Sequence, residues 1–397
     1  MIFVRGVASS FSVFYVALLE EFHWSHGVGA SVVSVSSLIY ALTSPLVGWS
    51  FDRLGPRVLM PLGGLLIGAG LFFSGFGNSL WELYFYYGVV TALGQSCLGF
   101  VSQSALISHW FVRRRATAIG IANMGQGLGI LVIVPITQIL VTRLGWRWAF
   151  FSLAAVTFVA TFPVNAILLR RSPKEVGQLP DGDALSTAKQ PELHRNRASA
   201  AGEWTLVSAL RSFPFWSLTA GHFALGTGIF IIYTHVVAHL VHQGLSGLIA
   251  AFVLGLIGFT RIGGTLFWGW VSDRLGRSKA YGIGTLVVLV GVACLATINR
   301  GSSLSFIYVS AIVFGIGHSS GNPTYGAVIA DIFGGSRVGV IFGFLELGFG
   351  SGMAFGAWLG GYIFDLTGSY RSAFALCLAT FIISYLGVRA SLAWHQR

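Results

Sequence analysis

Long apolar runs separated by short polar turns recur along the whole chain. Runs of spanning length, about 20 residues each, lie near 1–19, 28–51, 58–77, 83–108, 116–141, 148–169, 213–238, 246–272, 280–298, 304–331, 338–363 and 373–393. Charge is scarce inside them, and a helix satisfies its own backbone polar groups in hydrocarbon, so the pattern predicts twelve transmembrane helices. The long polar interval is Arg170 to Ser212, where Pro, Asp, Glu, Lys and Ser cluster as in a solvated linker. The expected architecture is therefore an all-α membrane protein of two six-helix bundles, 1–169 and 213–397, joined by a linker over 170–212. Within the linker, Glu203-Trp204-Thr-Leu206-Val207-Ser-Ala-Leu210-Arg211 alternates at helical spacing. It reads either as a short helix on the membrane face or as a lead-in to the seventh span.

One polar string occurs twice, each time at the end of an apolar run: Gly48-Trp-Ser-Phe-Asp52-Arg53-Leu-Gly55-Pro-Arg57 and Gly269-Trp-Val-Ser-Asp273-Arg274-Leu-Gly276-Arg277. The copies stand 221 residues apart, from Gly48 to Gly269, about half the chain. Each half thus repeats one fold as a pseudo-symmetric pair, the arrangement by which carriers build a site at their own interface. This favours a substrate carrier over an enzyme. In each copy the Gly lets two helices approach, and the Asp sits where a neighbouring helix can direct its N-terminal dipole at it.

Composition agrees with the spans. Of 397 residues, 54% are hydrophobic and 9% charged, against roughly 25% charged in soluble domains. The net charge of +11 raises nucleic acid as a partner, but placement argues against it. Eighteen of the 24 Lys and Arg fall in loops at one end of the spans, and four (Arg143, Arg147, Arg300, Arg371) at the other. That asymmetry is the positive-inside bias, and it predicts cytoplasmic termini in the cell (inner) membrane. Cys97, Cys294 and Cys377 lie in apolar runs without CxxC spacing, which reads as free buried thiols with no metal. His222, His235, His239 and His242 lack acidic or Cys neighbours in sequence and read as solvated or interface histidines rather than metal ligands. No small-residue cleavage pattern precedes Glu20-Glu21.

The repeated string resembles the signature of the major facilitator superfamily. A second segment, Phe111-Val-Arg113-Arg114-Arg115-Ala-Thr-Ala118-Ile-Gly120-Ile-Ala122-Asn-Met-Gly125, resembles the monocarboxylate transporter signature within it, and Leu18-Leu19-Glu20-Glu21-Phe22-His23-Trp24-Ser25 is similar to the first outer turn of bacterial members. Two features depart from the pattern. The acidic-glycine-aromatic motif at the start of helix one has no counterpart after Met1, and Pro135 follows Val134 where exporters usually carry a Gly-Pro pair.

Polar residues inside the spans are the functional candidates, since each costs free energy unless it lines water or meets a partner. Arg261 lies 12 residues before Asp273, about 18 Å from the helix end and near the midplane. The resemblance implies that it binds the substrate carboxylate, because a family arginine stands seven to eight residues ahead of the repeated motif. A structural pair with Glu346 or with helix carbonyls is the alternative. The family's Asp four residues earlier is replaced by Ile257, so coupling through the usual pair is not expected; Glu346 becomes the proton-coupling candidate, with a helix-packing hydrogen bond among Gly343, Gly348 and Gly350 as its alternative. His318 in Gly315-Ile-Gly317-His318, followed by Pro323, resembles the family's helix-ten pocket segment; Phe100 stands where relatives often carry Tyr, and Asn123 either faces the same cavity or packs beside Gly120 and Gly127. Gly48, Asp52, Arg53, Arg57, Gly269, Asp273, Arg274 and Arg277 are expected to gate. Arg5, roughly 21 Å from the far end of its helix, is expected to snorkel to the basic end if Met1 is the true start, or to face the pathway if residues precede it.

These readings point to a secondary active transporter of a small monocarboxylate or related organic anion, a symporter with protons or an exchanger, working by alternating access as a monomer in the bilayer. No GxxxxGK string is present, so ATP and other bound cofactors are not expected. An exporter of another organic anion, or a transporter-like membrane sensor, is the alternative.

Overall fold

The computed structural model describes residues 1–111, 115–170, 173–179, 204–334 and 338–395. Sixteen α-helices are found among them: α1 Ile2–Phe22, α2 His26–Leu54, α3 Pro56–Ser74, α4 Leu80–Leu83, α5 Ala92–Cys97, α6 Phe100–Trp110, α7 Arg115–Leu144, α8 Trp146–Leu168, α9 Leu206–Leu210, α10 Phe213–His242, α11 Gly247–Leu275, α12 Arg277–Thr297, α13 Leu304–His318, α14 Gly321–Phe333, α15 Val338–Thr367 and α16 Tyr370–His395. A π-helical stretch, Tyr84–Thr91, joins α4 to α5. Twelve segments are long and apolar enough to cross a membrane, with α4 to α6 forming the fourth and α13 with α14 the tenth.

Local chemistry sets the helix ends. Ser25, Ser246 and Ser303 each accept a backbone N–H of the first turn, satisfying a donor the helix itself cannot. In both copies of the repeated string the glycine after the helix has positive φ, Gly55 at 73° and Gly276 at 87°. A side chain would strain that backbone, so glycine allows the immediate reversal into α3 and α12. Successive spans alternate in direction, which gathers Arg53, Arg57, Arg170, Arg211, Arg274 and Arg277 at one end of the bundle, the basic end. The opposite, far end carries the turns at His23 to Ser25, Gln243 to Ser246 and Gly368.

Within the first six spans α1 packs on α7 and α3 on α8; within the last six, α10 packs on α15 and α16, and α12 on α13. Helix α10 is buried almost throughout, from Leu218 to Leu240. Contacts across the two sets run through α2 with α15, α7 with α11, and α1 with α10. Large apolar side chains such as Leu46, Val159, Leu286 and Leu386 are exposed on the outside of the bundle, the surface that lipid would cover.

Of the linker, 180–203 lies outside the described residues. Its final stretch, from Trp204 onward, opens with a single-turn helix: Thr205 caps α9, and Trp204 meets Phe333 edge-on at 5.1 Å. The basic string Arg113 to Arg115 likewise falls outside the described side chains.

Candidate functional site

Where the two sets of spans meet, glycine registers reveal a wedge. On α15, Gly350 lies against Ala41 of α2 too closely for any side chain, and Gly361 lies equally close to His26. One heptad earlier on the same stripe, Gly343 has open space. On α7, Gly127 touches the backbone of Gly258 on α11, while Gly120, one heptad earlier, reaches only Leu266 at 4.0 Å. The halves are therefore sealed toward the far end and part toward the basic end.

The seal has a polar latch. The carboxylate of Asp365, near the end of α15, accepts the backbone N–H of His26 and of Gly27 at 2.7 Å each. These are orphan donors at the N-terminus of α2, where the helix dipole also favours an anion. Beside it, Tyr370 Oη lies 2.5 Å from His26 Nδ1 and 3.3 Å from Tyr15 Oη. Ser34 Oγ donates to Ala354 O at 2.6 Å, extending the closure toward the centre.

At the depth where the wedge begins, polar groups converge. Arg261 on α11 is half-buried and makes no salt bridge among the described residues. Arg5 on α1 does not snorkel to the basic end. Its guanidinium lies over the rings of Phe230 at 5.6 Å and Tyr233 at 5.5 Å, on α10, and its Nε is buried without a partner. The two arginines are within electrostatic reach of one another, and both of His318. His318 is 5% exposed, meets Tyr233 edge-on at 5.7 Å, and has no hydrogen-bond partner on either ring nitrogen. The Tyr233 hydroxyl is also unpartnered. Buried polar groups are normally satisfied, so four orphaned atoms in one place describe a site shaped for something polar.

Glu346 sits between Gly343 and Gly350 on the stripe facing α2. It lies 4.0 Å from His222 Nε2, within electrostatic reach of Tyr40, and its side chain is 39% exposed. It does not pair with Arg261. Asn123 Oδ1 accepts from Gln126 at 2.8 Å, on the α7 stripe that faces α11. The ring of Phe100 makes no aromatic or cation–π contact among the described residues and is 40% exposed.

Two spans are broken at this depth, a feature the apolar pattern hid. The fourth is interrupted at Leu98 and Gly99, with Gly99 extended (φ −75°, ψ −169°), before Phe100 restarts it. The tenth is interrupted at Ser319 and Ser320 before Gly321 restarts it. Phe100 and Gly321 are again 221 residues apart. Backbone groups freed inside a membrane need other partners. Gln103 Nε2 donates to Leu98 O at 2.8 Å, Trp268 Nε1 and Ser319 Oγ donate to Ile316 O at 2.7 and 2.6 Å, and Ser320 Oγ donates to Gly317 O at 2.8 Å. The available sequence signals were Gly99 and the Ser-Ser-Gly run before Pro323.

A family model described as Major Facilitator Superfamily matches residues 1–266 and 258–395. The chain belongs to that superfamily. Among curated relatives, monocarboxylate transporter 13 of Rattus norvegicus is 27% identical over 390 residues, covering 98% of this chain and 85% of the relative. Human monocarboxylate transporter 12 is 27% identical over 395 residues, covering 96% and 76%. A bacterial homolog of the human lysosomal transporter Spinster, solved in an inward-facing and occupied conformation, has a TM-score of 0.67 at 16% identity, covering 99% of this chain and 94% of that one. The protein is thus a multi-pass membrane transporter of the superfamily fold, related to the monocarboxylate transporters, and its relatives are not enzymes.

The superfamily signature loops adopt matching geometry. Arg53 stacks on Trp49 and Arg274 on Trp270, each guanidinium 4.2 Å from the ring centre. In the second copy Arg277 bridges two carboxylates: Nη1 lies 2.5 Å from Asp273 and Nε 3.1 Å from Asp331 at the end of α14. This cross-link ties the eighth span to the tenth. Gly269 has open space, Gly48 meets only Val101 at 3.6 Å, and Arg57 is exposed. The side chain of Asp52 lies outside the described residues. Among the histidines, His235 and His239 place Nε2 on carbonyls of neighbouring spans, Ala357 O at 2.8 Å and Leu295 O at 3.2 Å.

Proposed function

We propose that this protein is a secondary active transporter that carries a small monocarboxylate or related organic anion by alternating access, with the substrate carboxylate on Arg261. The observation that supports it is a half-buried arginine near mid-span, within electrostatic reach of Arg5 and His318, with no acidic partner among the described residues. An arginine at that depth costs about 2.5–3.5 kcal/mol on insertion scales. Its planar fork offers a carboxylate two parallel hydrogen bonds, which offset that cost when an anion binds.

The basic end faces the cytoplasm, so the wedge is the inward-open state. Substrate enters it, meets Arg261 with His318 alongside, and the halves rock to open the far end. That motion requires Asp365 to release His26 and Gly27 while contacts form between the signature loops. Energy comes from a proton gradient or from exchange, with Glu346 as the proton-carrying group.

Uptake of labelled monocarboxylates into proteoliposomes, with and without a pH gradient, tests this reading. Arg261→Ala, correctly inserted, is expected to lose transport, and Arg261→Lys to lose most of it, because Lys keeps the charge without the fork. Normal transport by Arg261→Ala removes the assignment.

A further inference from the structure

We infer that the substrate carries two anionic groups, the second held by Arg5, so that a bound dicarboxylate bridges the halves. The inference rests on Arg261 receiving the first carboxylate. Arg5 belongs to α1 and Arg261 to α11, one in each half, and the two are close enough to repel. Unpaired like charges in a low-dielectric region are costly. Among the described residues no carboxylate pairs with either; Glu346 stands beside His222 instead.

The surroundings of Arg5 leave its donors free. Cation–π contact with Phe230 and Tyr233 stabilises the charge through the faces of the rings. It does not use up the five N–H groups, which lie in the guanidinium plane. Beside them is a cavity of about 30 Å³ in which the hydroxyl-bearing Ser9, Ser12, Tyr233 and Thr234 share the lining with apolar side chains such as Phe11 and Val33. That is room for one small polar group rather than a whole substrate. A monocarboxylate on Arg261 would leave Arg5 uncompensated as the halves close. A dicarboxylate neutralises both arginines and is drawn to both halves at once.

Affinities of matched acids for the purified full-length protein test this, at a pH where all carboxylates are ionised: succinate against butyrate, and glutarate against valerate. Each dicarboxylate is expected to bind at least about tenfold more tightly than its monocarboxylate match, as a second charge-assisted pair implies. Arg5→Gln should bring that ratio to within about threefold of one, and Arg5→Lys should restore part of it. A ratio near one in the parent overturns the inference while leaving the Arg261 reading intact, and so does a ratio unchanged by Arg5→Gln. If Arg5→Gln binds neither class, Arg5→Lys decides: recovered dicarboxylate preference supports the bridge, and failure to recover it overturns the bridge. A parent protein that binds none of the four acids overturns both readings.

Discussion

The latch at the far end permits a quantitative test of alternating access. Asp365 accepts two backbone N–H groups at 2.7 Å and places its charge at the positive end of α2. Hydrogen bonds to a charged group contribute about 1.5–3 kcal/mol when buried, and an anion at a helix N-terminus adds about 0.3–1 kcal/mol. Asp365 is solvent-exposed, so screening brings its share toward the low end. Asp365→Asn keeps one acceptor oxygen and removes the charge, for an expected loss of about 1–2 kcal/mol from the far-closed state. That is about a 5- to 30-fold shift of the equilibrium toward far-open. Spin labels at Glu20→Cys and Arg371→Cys, with the native cysteines replaced, report the distance between halves at that end. The long-distance population should rise by this factor in Asp365→Asn and further in Asp365→Ala, which removes both acceptors. Unchanged populations in both variants would falsify the latch.

The same geometry sets two further expected outcomes. Asp273→Asn and Asp331→Asn each remove one arm of the Arg277 bridge; turnover should change several-fold while substrate affinity stays within a few-fold, measured by parallel transport and binding assays, and complete loss of binding in folded protein would show that the bridge shapes the site itself. Glu346→Gln should abolish pH-driven accumulation in proteoliposomes yet preserve exchange at equal pH, and full accumulation by this variant would make Glu346 a packing residue.

Much of this molecule was readable from residue order alone. Twelve spans, their alternating direction, the duplicated Gly-Trp…Asp-Arg string and the depth of Arg261 all come from local rules: hydrocarbon thickness sets segment length, charge sorts loops, and 1.5 Å per residue converts position to depth. The Trp49–Arg53 and Trp270–Arg274 stacks sit four residues apart on one helical face and belong to the same local class.

Which way each helix face and its side chains turn was not readable. In a membrane bundle the lipid-facing and buried surfaces are both apolar, so hydrophobic periodicity does not say which face of a helix looks inward. Arg5 could turn to the basic end or to the centre, and only packing against Phe230 and Tyr233, more than 220 residues later, decides for the centre. The same holds for Asp365, which reads as an ordinary acidic helix end until α15 lies beside the N-terminus of α2. The breaks in the fourth and tenth spans leave no mark in the apolar pattern because their residues remain apolar or small, and the freed carbonyls are satisfied by local side chains and, in the tenth span, by Trp268 of α11. Residue order is enough for the spans, their alternation and the presence of costly charges within them, since each depends on a residue and the solvent around its own segment. The tertiary structure alone decided which charges meet, which remain unpaired and which end is shut, because those depend on where two distant helices come to rest against one another.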